Sequence, residues 1–212
     1  MKIHHDSCAL RLLRYCRCLS AGALVSFGLM TETTLRPALA ALAQAPDETT
    51  VRKLWKALTP EERTLAITAS LADDQDGWVK ASTRAVVAKA LKFRPQTVAQ
   101  LPRQKLIADA ARLPIDDVQL LGGYLVDLHL GHRRPMMRDF LDALGIKNDE
   151  GRIDSEATEV PVQDEAAVAR AADAIAGAHP RDEVVFYFLT LLLQDETTWG
   201  GVKAWLVSHS EL

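Results

Sequence analysis

The fold class depends on residues 180–194, which read PRDEVVFYFLTLLLQ and include the most apolar stretch of the chain. The composition of residues 184–193 would suit a buried strand. However, proline at a first helical position followed by two acids marks a helix start, because acids complement the positive end of the helix dipole. No other segment supplies partner strands, so the sequence predicts a buried helix here.

The rest of the chain carries the same kind of helix signal. Residues 59–62, Thr-Pro-Glu-Glu, combine a hydroxyl cap, an early proline and two acids. Asp47-Glu-Thr-Thr recurs as Asp195-Glu-Thr-Thr, which we interpret as shared capping chemistry rather than duplication. Alanine and leucine dominate the composition, and connections are short. We therefore predict an all-α fold, an irregular bundle or short array of antiparallel helical hairpins with about nine helices.

Some residues predict features of the packing. Gly122 and Gly123 lie inside a predicted helix, where they would permit close helix approach or a bend. Gly145 follows another helix and predicts a left-handed cap. Large aromatic residues usually anchor cores, and we expect that role of the four tryptophans, Trp55, Trp78, Trp199 and Trp205.

The first 29 residues differ from the rest of the chain. Three arginines precede an apolar run at 19–30, which is the order of a secretory signal. Serine and glycine interrupt that run, and polar residues separate it from any cleavage site. We therefore interpret 1–29 as an over-extended start, with a signal or anchor and a disordered arm as alternatives. The run of about a dozen residues is too short to span a bilayer, which takes about 20.

Beyond this region we expect a main helical domain at 30–145, a polar connection at 146–160, and C-terminal helices at 161–212 that pack on the main domain. All three cysteines lie in the first 18 residues, so the body has no disulfide framework and no cysteine-based zinc site. This pattern favours a cytoplasmic protein. Export is the alternative if residues 1–43 act as a signal sequence.

Charge is unevenly distributed along a chain whose formal net charge is −3. Residues 80–112 contain eight basic residues against one acid, whereas residues 139–196 contain fourteen acidic and four basic residues. Such asymmetry indicates a charged partner, or two regions that face each other.

Residues 84–101 have the spacing of a degenerate helix-turn-helix, with apolar residues at Val87, Ala88, Leu91, Phe93, Val98 and Leu101. Arg94, Gln96 and Thr97 would begin the second helix, where base edges are read. Phosphate contacts would come from the flanking basic residues, Lys80, Arg84, Lys89, Lys92, Arg103 and Lys105. Two facts favour an ordinary solvated hairpin instead: Lys92 stands where glycine is preferred, and Pro102 leaves a second helix of about seven residues.

Asp127, His129 and His132 form a candidate metal site near the end of one helix. Histidines three residues apart share a helix face and could bind zinc together with an acid. The alternative is that they complement the negative end of the helix.

Nucleotide-binding, kinase and serine-hydrolase motifs are missing from the sequence, so we predict no cofactor and favour a protein that is not an enzyme. We expect a non-catalytic helical interaction or scaffold protein that binds a protein partner. One alternative is a nucleic-acid-binding regulator that uses residues 80–105. Another is an enzyme with a dispersed site, such as Asp127, His129 and Arg133.

Overall fold

The computed structural model describes residues 41–44, 46–153 and 160–209. Within them the chain forms ten α-helices and no β-strand, so the predicted all-α fold is confirmed. A short 3-10 helix, Ala41–Gln44, precedes them. The helices are α1 (Glu48–Ala57), α2 (Pro60–Ala72), α3 (Trp78–Leu91), α4 (Pro95–Ala99), α5 (Arg103–Arg112), α6 (Val118–His132), α7 (Arg134–Ala143), α8 (Glu165–Ala178), α9 (Arg181–Gln194) and α10 (Gly200–Ser208).

The apolar stretch at 180–194 is helix α9, as predicted. Eight of its 14 residues are buried, and they include the continuous run 184–190. Burial around the whole circumference explains why the sequence lacks an amphipathic period here. Its neighbours are α8, α10 and the 3-10 helix. No helix among the described residues combines the length and the apolar character needed to cross a membrane.

The two Asp-Glu-Thr-Thr sequences cap their turns in the same way. The carboxylates of Asp47 and Asp195 each accept hydrogen bonds from the backbone N–H groups two and three residues later, at 2.9–3.2 Å. The Asp47 bonds satisfy donors that the start of α1 leaves unpaired, whereas the Asp195 bonds close the turn that precedes α10. The predicted shared capping chemistry is therefore confirmed.

The start of α2 is a reciprocal capping box. The hydroxyl of Thr59 accepts from the N–H of Glu62 at 3.1 Å, and the Glu62 carboxylate accepts from the N–H of Thr59 at 2.8 Å. Two backbone donors are thus satisfied by residues that are local in sequence.

The helices form two compact units, one of residues 45–137 and the other of residues 138–209 with 41–44, over the residues described. The division falls within α7. The predicted extension at 1–29 lies outside the described residues, and so do residues 154–159 of the predicted connection at 146–160. The predicted division into domains at 30–145 and 161–212 stays a prediction.

Helices α2 and α6 form the centre of the first unit. Glu62, near the start of α2, pairs with Arg133, just after the end of α6, at 2.9 Å. Ser70, near the end of α2, donates to Asp127, which precedes Arg133 in the chain, at 2.5 Å. The two helices are therefore antiparallel. Alongside them, α1 packs on α6 and α5 packs on α2.

The close approach between α2 and α6 occurs at Gly131. A Cβ atom there would lie 3.0 Å from the Cβ of Ala69, whereas a Cβ on Gly122 or Gly123 would meet nothing within 4 Å. The predicted close approach at Gly122 and Gly123 is therefore wrong. Which glycine is needed depends on the face of α6 that α2 covers, and a glycine pair carries no information about that face.

In the second unit, α10 packs on α8 and α9. A Cβ on Gly201 of α10 would lie 3.0 Å from the Cβ of Val168 in α8, so a small residue is required there. Trp199 and Trp205 are buried in this unit, and Trp55 is buried in the first, each at most 5% exposed. The predicted core role is confirmed for these three, while Trp78 is half-buried.

Candidate functional site

Helix α3 ends in a turn that places Lys92 in the left-handed region, with φ 54° and ψ 35°. The N–H of Phe93 donates to the carbonyl of Ala88 at 3.0 Å, and the N–H of Lys92 donates to that of Lys89 at 3.4 Å. This pair of bonds is a Schellman motif. The same motif closes α7, where Gly145 has φ 69° as predicted. The turn therefore has a left-handed residue at the predicted position, although that residue is a lysine rather than a glycine.

Helix α4, which follows the turn, is shorter than predicted. It contains five residues rather than about seven, and it extends only about 7.5 Å at the usual rise per residue. Arg94 lies at its N-cap, and Gln96 and Thr97 lie in its first turn, at the start of the helix as predicted; all three are exposed. A helix that reads bases in the major groove presents several side chains to base edges, and the five residues of α4 offer little length for that.

Three of the predicted phosphate-binding residues have partners within the protein. Arg84 donates to the carbonyl of the last residue of α4 at 3.0 Å, and Arg103 donates to a carbonyl of α2 at 3.3 Å. Lys105 pairs with Asp109, one helical turn later, at 3.2 Å. Arg84 and Arg103 therefore hold α4 and α5 in place, and they are poorer candidates for contacts with a ligand.

The other four basic candidates, Lys80, Lys89, Lys92 and Arg94, are exposed and form no ion pair among the described residues. Three of them surround the turn after α3. We call the group Lys89, Lys92, Phe93 and Arg94 the basic turn. Its cations are available to an external anion without the loss of an internal salt bridge.

Phe93 departs from the sequence prediction. It was expected to help hold two helices together, and the flanking Val87 and Val98 are indeed fully buried. Phe93 itself is 43% exposed, between two exposed cations. The apolar spacing could not reveal this, because Phe93 lies beyond the end of α3, where the helical period no longer applies.

The candidate metal residues are not brought together. Asp127 accepts a hydrogen bond from Ser70 at 2.5 Å, His129 is buried, and His132 is exposed. Burial and the nearby Arg133 cation both lower the pKa of His129, and partial burial of the ring together with Arg133 lowers the pKa of His132. The region that the structure describes contains no group of three or more His, Cys, Asp or Glu side chains that could hold a metal.

The dispersed set Asp127, His129 and Arg133 also serves the packing of α6. Arg133 pairs with Glu62, and the Arg133 side chain is only 5% exposed. A guanidinium held this way neutralises a carboxylate of the protein and is poorly placed to bind a substrate anion. Asp127 and Arg133 each bond to a side chain of α2, so they contribute to the packing of α2 on α6.

The end of α10 brings together a serine, a histidine and an aspartate that the sequence analysis did not combine. Ser208 Oγ lies 2.9 Å from His209 Nδ1, and His209 Nε2 lies 3.8 Å from Asp173. However, the Ser208 hydroxyl donates to the carbonyl of Trp205 at 2.8 Å, and His209 Nδ1 lies 2.9 Å from that same carbonyl. Nδ1 must carry a hydrogen to bond there, so it cannot accept the serine proton. The group is a C-terminal cap, not an activated nucleophile.

A scan of protein-family models and searches of curated proteins and solved structures find no match to this chain. The most distinctive feature of the described surface is the basic turn, with three exposed cations and one exposed aromatic ring.

The strain at Lys92 leads to a testable prediction. The left-handed region costs a residue with a Cβ atom about 1 kcal/mol of conformational free energy, and glycine lacks this cost. We expect Lys92→Gly to raise the free energy of unfolding by about 0.5–1 kcal/mol, as measured by urea denaturation. Gly145→Ala, in the matching turn after α7, should lower it by a similar amount. A Lys92→Gly protein that is less stable than the wild type would contradict the strain.

Proposed function

We propose that this protein is a non-catalytic binding protein that contacts nucleic acid through the basic turn. The observation that supports this most directly is the cluster of Lys89, Lys92 and Arg94, exposed and without an internal ion pair among the described residues. Phosphate contacts by such side chains supply most sequence-independent affinity for nucleic acid.

The strained conformation of Lys92 adds a second argument. Glycine is the residue that this φ favours, and Gly145 occupies the equivalent position after α7. A lysine at such a position places charge at the tip of a turn and lowers the stability of the fold. Strained residues of this kind cluster at functional sites. These observations favour nucleic acid over the protein partner expected from the sequence, since that expectation depended mainly on missing motifs.

The proposal can be tested by fluorescence anisotropy with labelled DNA and RNA oligonucleotides of about 20 nucleotides. If three phosphates are neutralised, affinity should fall roughly 20-fold between about 50 and 200 mM salt. The double variant Lys89→Ala/Arg94→Ala should bind more weakly and lose most of this salt dependence, because two of the three contacts are removed.

A matched control is Lys53→Ala/Lys56→Ala, which removes two exposed cations from α1 in the same unit. This variant should bind as the wild type does, and circular dichroism should show both variants folded. Equal losses of affinity in the two double variants would indicate that net charge alone attracts the nucleic acid. Absence of binding to either oligonucleotide at low salt would overturn the proposal, and the predicted protein partner would then be the better hypothesis.

A further inference from the structure

Phe93 is the most exposed aromatic residue in the part of the chain that the structure describes. At 43% exposure it is the only aromatic side chain among the large hydrophobic residues that remain exposed there. Its neighbours in the chain are Lys92 and Arg94, both exposed. An open phenyl ring between two cations matches a ligand that presents flat π-faces and negative charges in alternation.

The shape of the segment indicates which kind of nucleic acid fits. Duplex DNA is usually read by a helix that lies in the major groove, and α4 has only five residues for that purpose. Arg84, which would otherwise extend the basic surface along α3, is bonded to the end of α4. Of the four exposed candidates without an ion pair among the described residues, three lie at the turn, and Lys80 lies near the start of α3.

We propose that the basic turn binds single-stranded nucleic acid, with one base stacked on Phe93 and the phosphates on either side of that base held by Lys92 and Arg94. This inference rests on the proposed function and specifies its ligand. Every base has a π-face, so the binding would tolerate most sequences. Stacked bases of a duplex hide those faces, and a single strand therefore binds more tightly than a duplex of the same sequence.

The experiment compares a labelled single strand with the matching duplex, using the full chain and the variants Phe93→Leu and Phe93→Tyr. Leucine keeps an apolar side chain at this position but lacks a π-face, whereas tyrosine keeps one. We expect the wild type to prefer the single strand by about tenfold, and Phe93→Leu to lose about tenfold in affinity for it. Phe93→Tyr should bind nearly as the wild type does. The salt dependence of Phe93→Leu should be unchanged, because its phosphate contacts remain.

Failure of this inference can be distinguished from failure of the proposed function. If Phe93→Leu binds the single strand as tightly as the wild type while Lys89→Ala/Arg94→Ala binds weakly, stacking is wrong and nucleic-acid binding stands. Tighter binding of the duplex than of the single strand would also overturn the inference. If the wild type binds neither ligand, both proposals are overturned.

Discussion

Replacement of Phe140 by alanine should lower the free energy of unfolding by about 3–5 kcal/mol. Phe140, in α7, is fully buried, and its ring centre lies 5.0 Å from that of Phe188, 5.8 Å from that of Tyr187 and 6.0 Å from that of Trp199. Truncation removes the apolar surface of the ring and leaves a cavity. The surrounding aromatic rings cannot easily fill that cavity, since two of them belong to the buried helix α9.

Phe93→Ala is the control for this variant, because it deletes the same ring from an exposed position. We expect it to change the free energy of unfolding by less than about 1 kcal/mol. Both variants can be measured by urea unfolding followed by circular dichroism. Equal losses of stability in Phe140→Ala and Phe93→Ala would show that the rings around Phe140 do not form the core of the second unit.

The stability of the folded protein should fall as the pH falls from about 7 to about 5, chiefly because of His129. This side chain is 2% exposed, and burial, aided by the Arg133 cation, holds its pKa well below the ordinary value near 6.5. Below that ordinary value the unfolded chain binds a proton that the folded protein does not. Acid therefore favours the unfolded state, and the loss of stability grows as the pH falls below about 6.5. His132, whose pKa is also lowered, acts in the same direction.

The measurement is the free energy of unfolding in urea at several pH values. His129→Gln should remove most of the loss between pH 7 and pH 5, although it also changes the stability at neutral pH. His209→Gln keeps His129 in place and should therefore retain the slope. An unchanged slope in His129→Gln would show that this histidine does not control the acid sensitivity.

The local structure of this protein could be predicted well from its sequence. The capping box at Thr59, the caps at Asp47 and Asp195 and the left-handed residue at Gly145 were all visible, because each signal acts within about one helical turn. The apolar segment 180–194 was recognised as helix α9 through its start signal rather than through its period. That period is missing because α9 is buried on all sides.

The candidate site was predicted less completely. The sequence located the basic residues at 80–105 and the requirement for a left-handed turn at Lys92. It assigned Phe93 to the packing, and it did not distinguish Arg84, which is bonded to α4, from Arg94, which is exposed. These differences depend on contacts between helices, and no local pattern encodes such contacts.

The sequence by itself determined where most of the helices begin, since the backbone donors at a helix start are satisfied by residues a few positions away, whereas α4 ends earlier than the sequence predicted. Only the tertiary structure decided which side chains are buried. Phe140 lies among aromatic rings while Phe93 faces solvent, and Gly131 rather than Gly122 meets α2. The physical reason is that burial depends on neighbours more than 40 residues away in the chain, so that chemically equal residues have unequal roles.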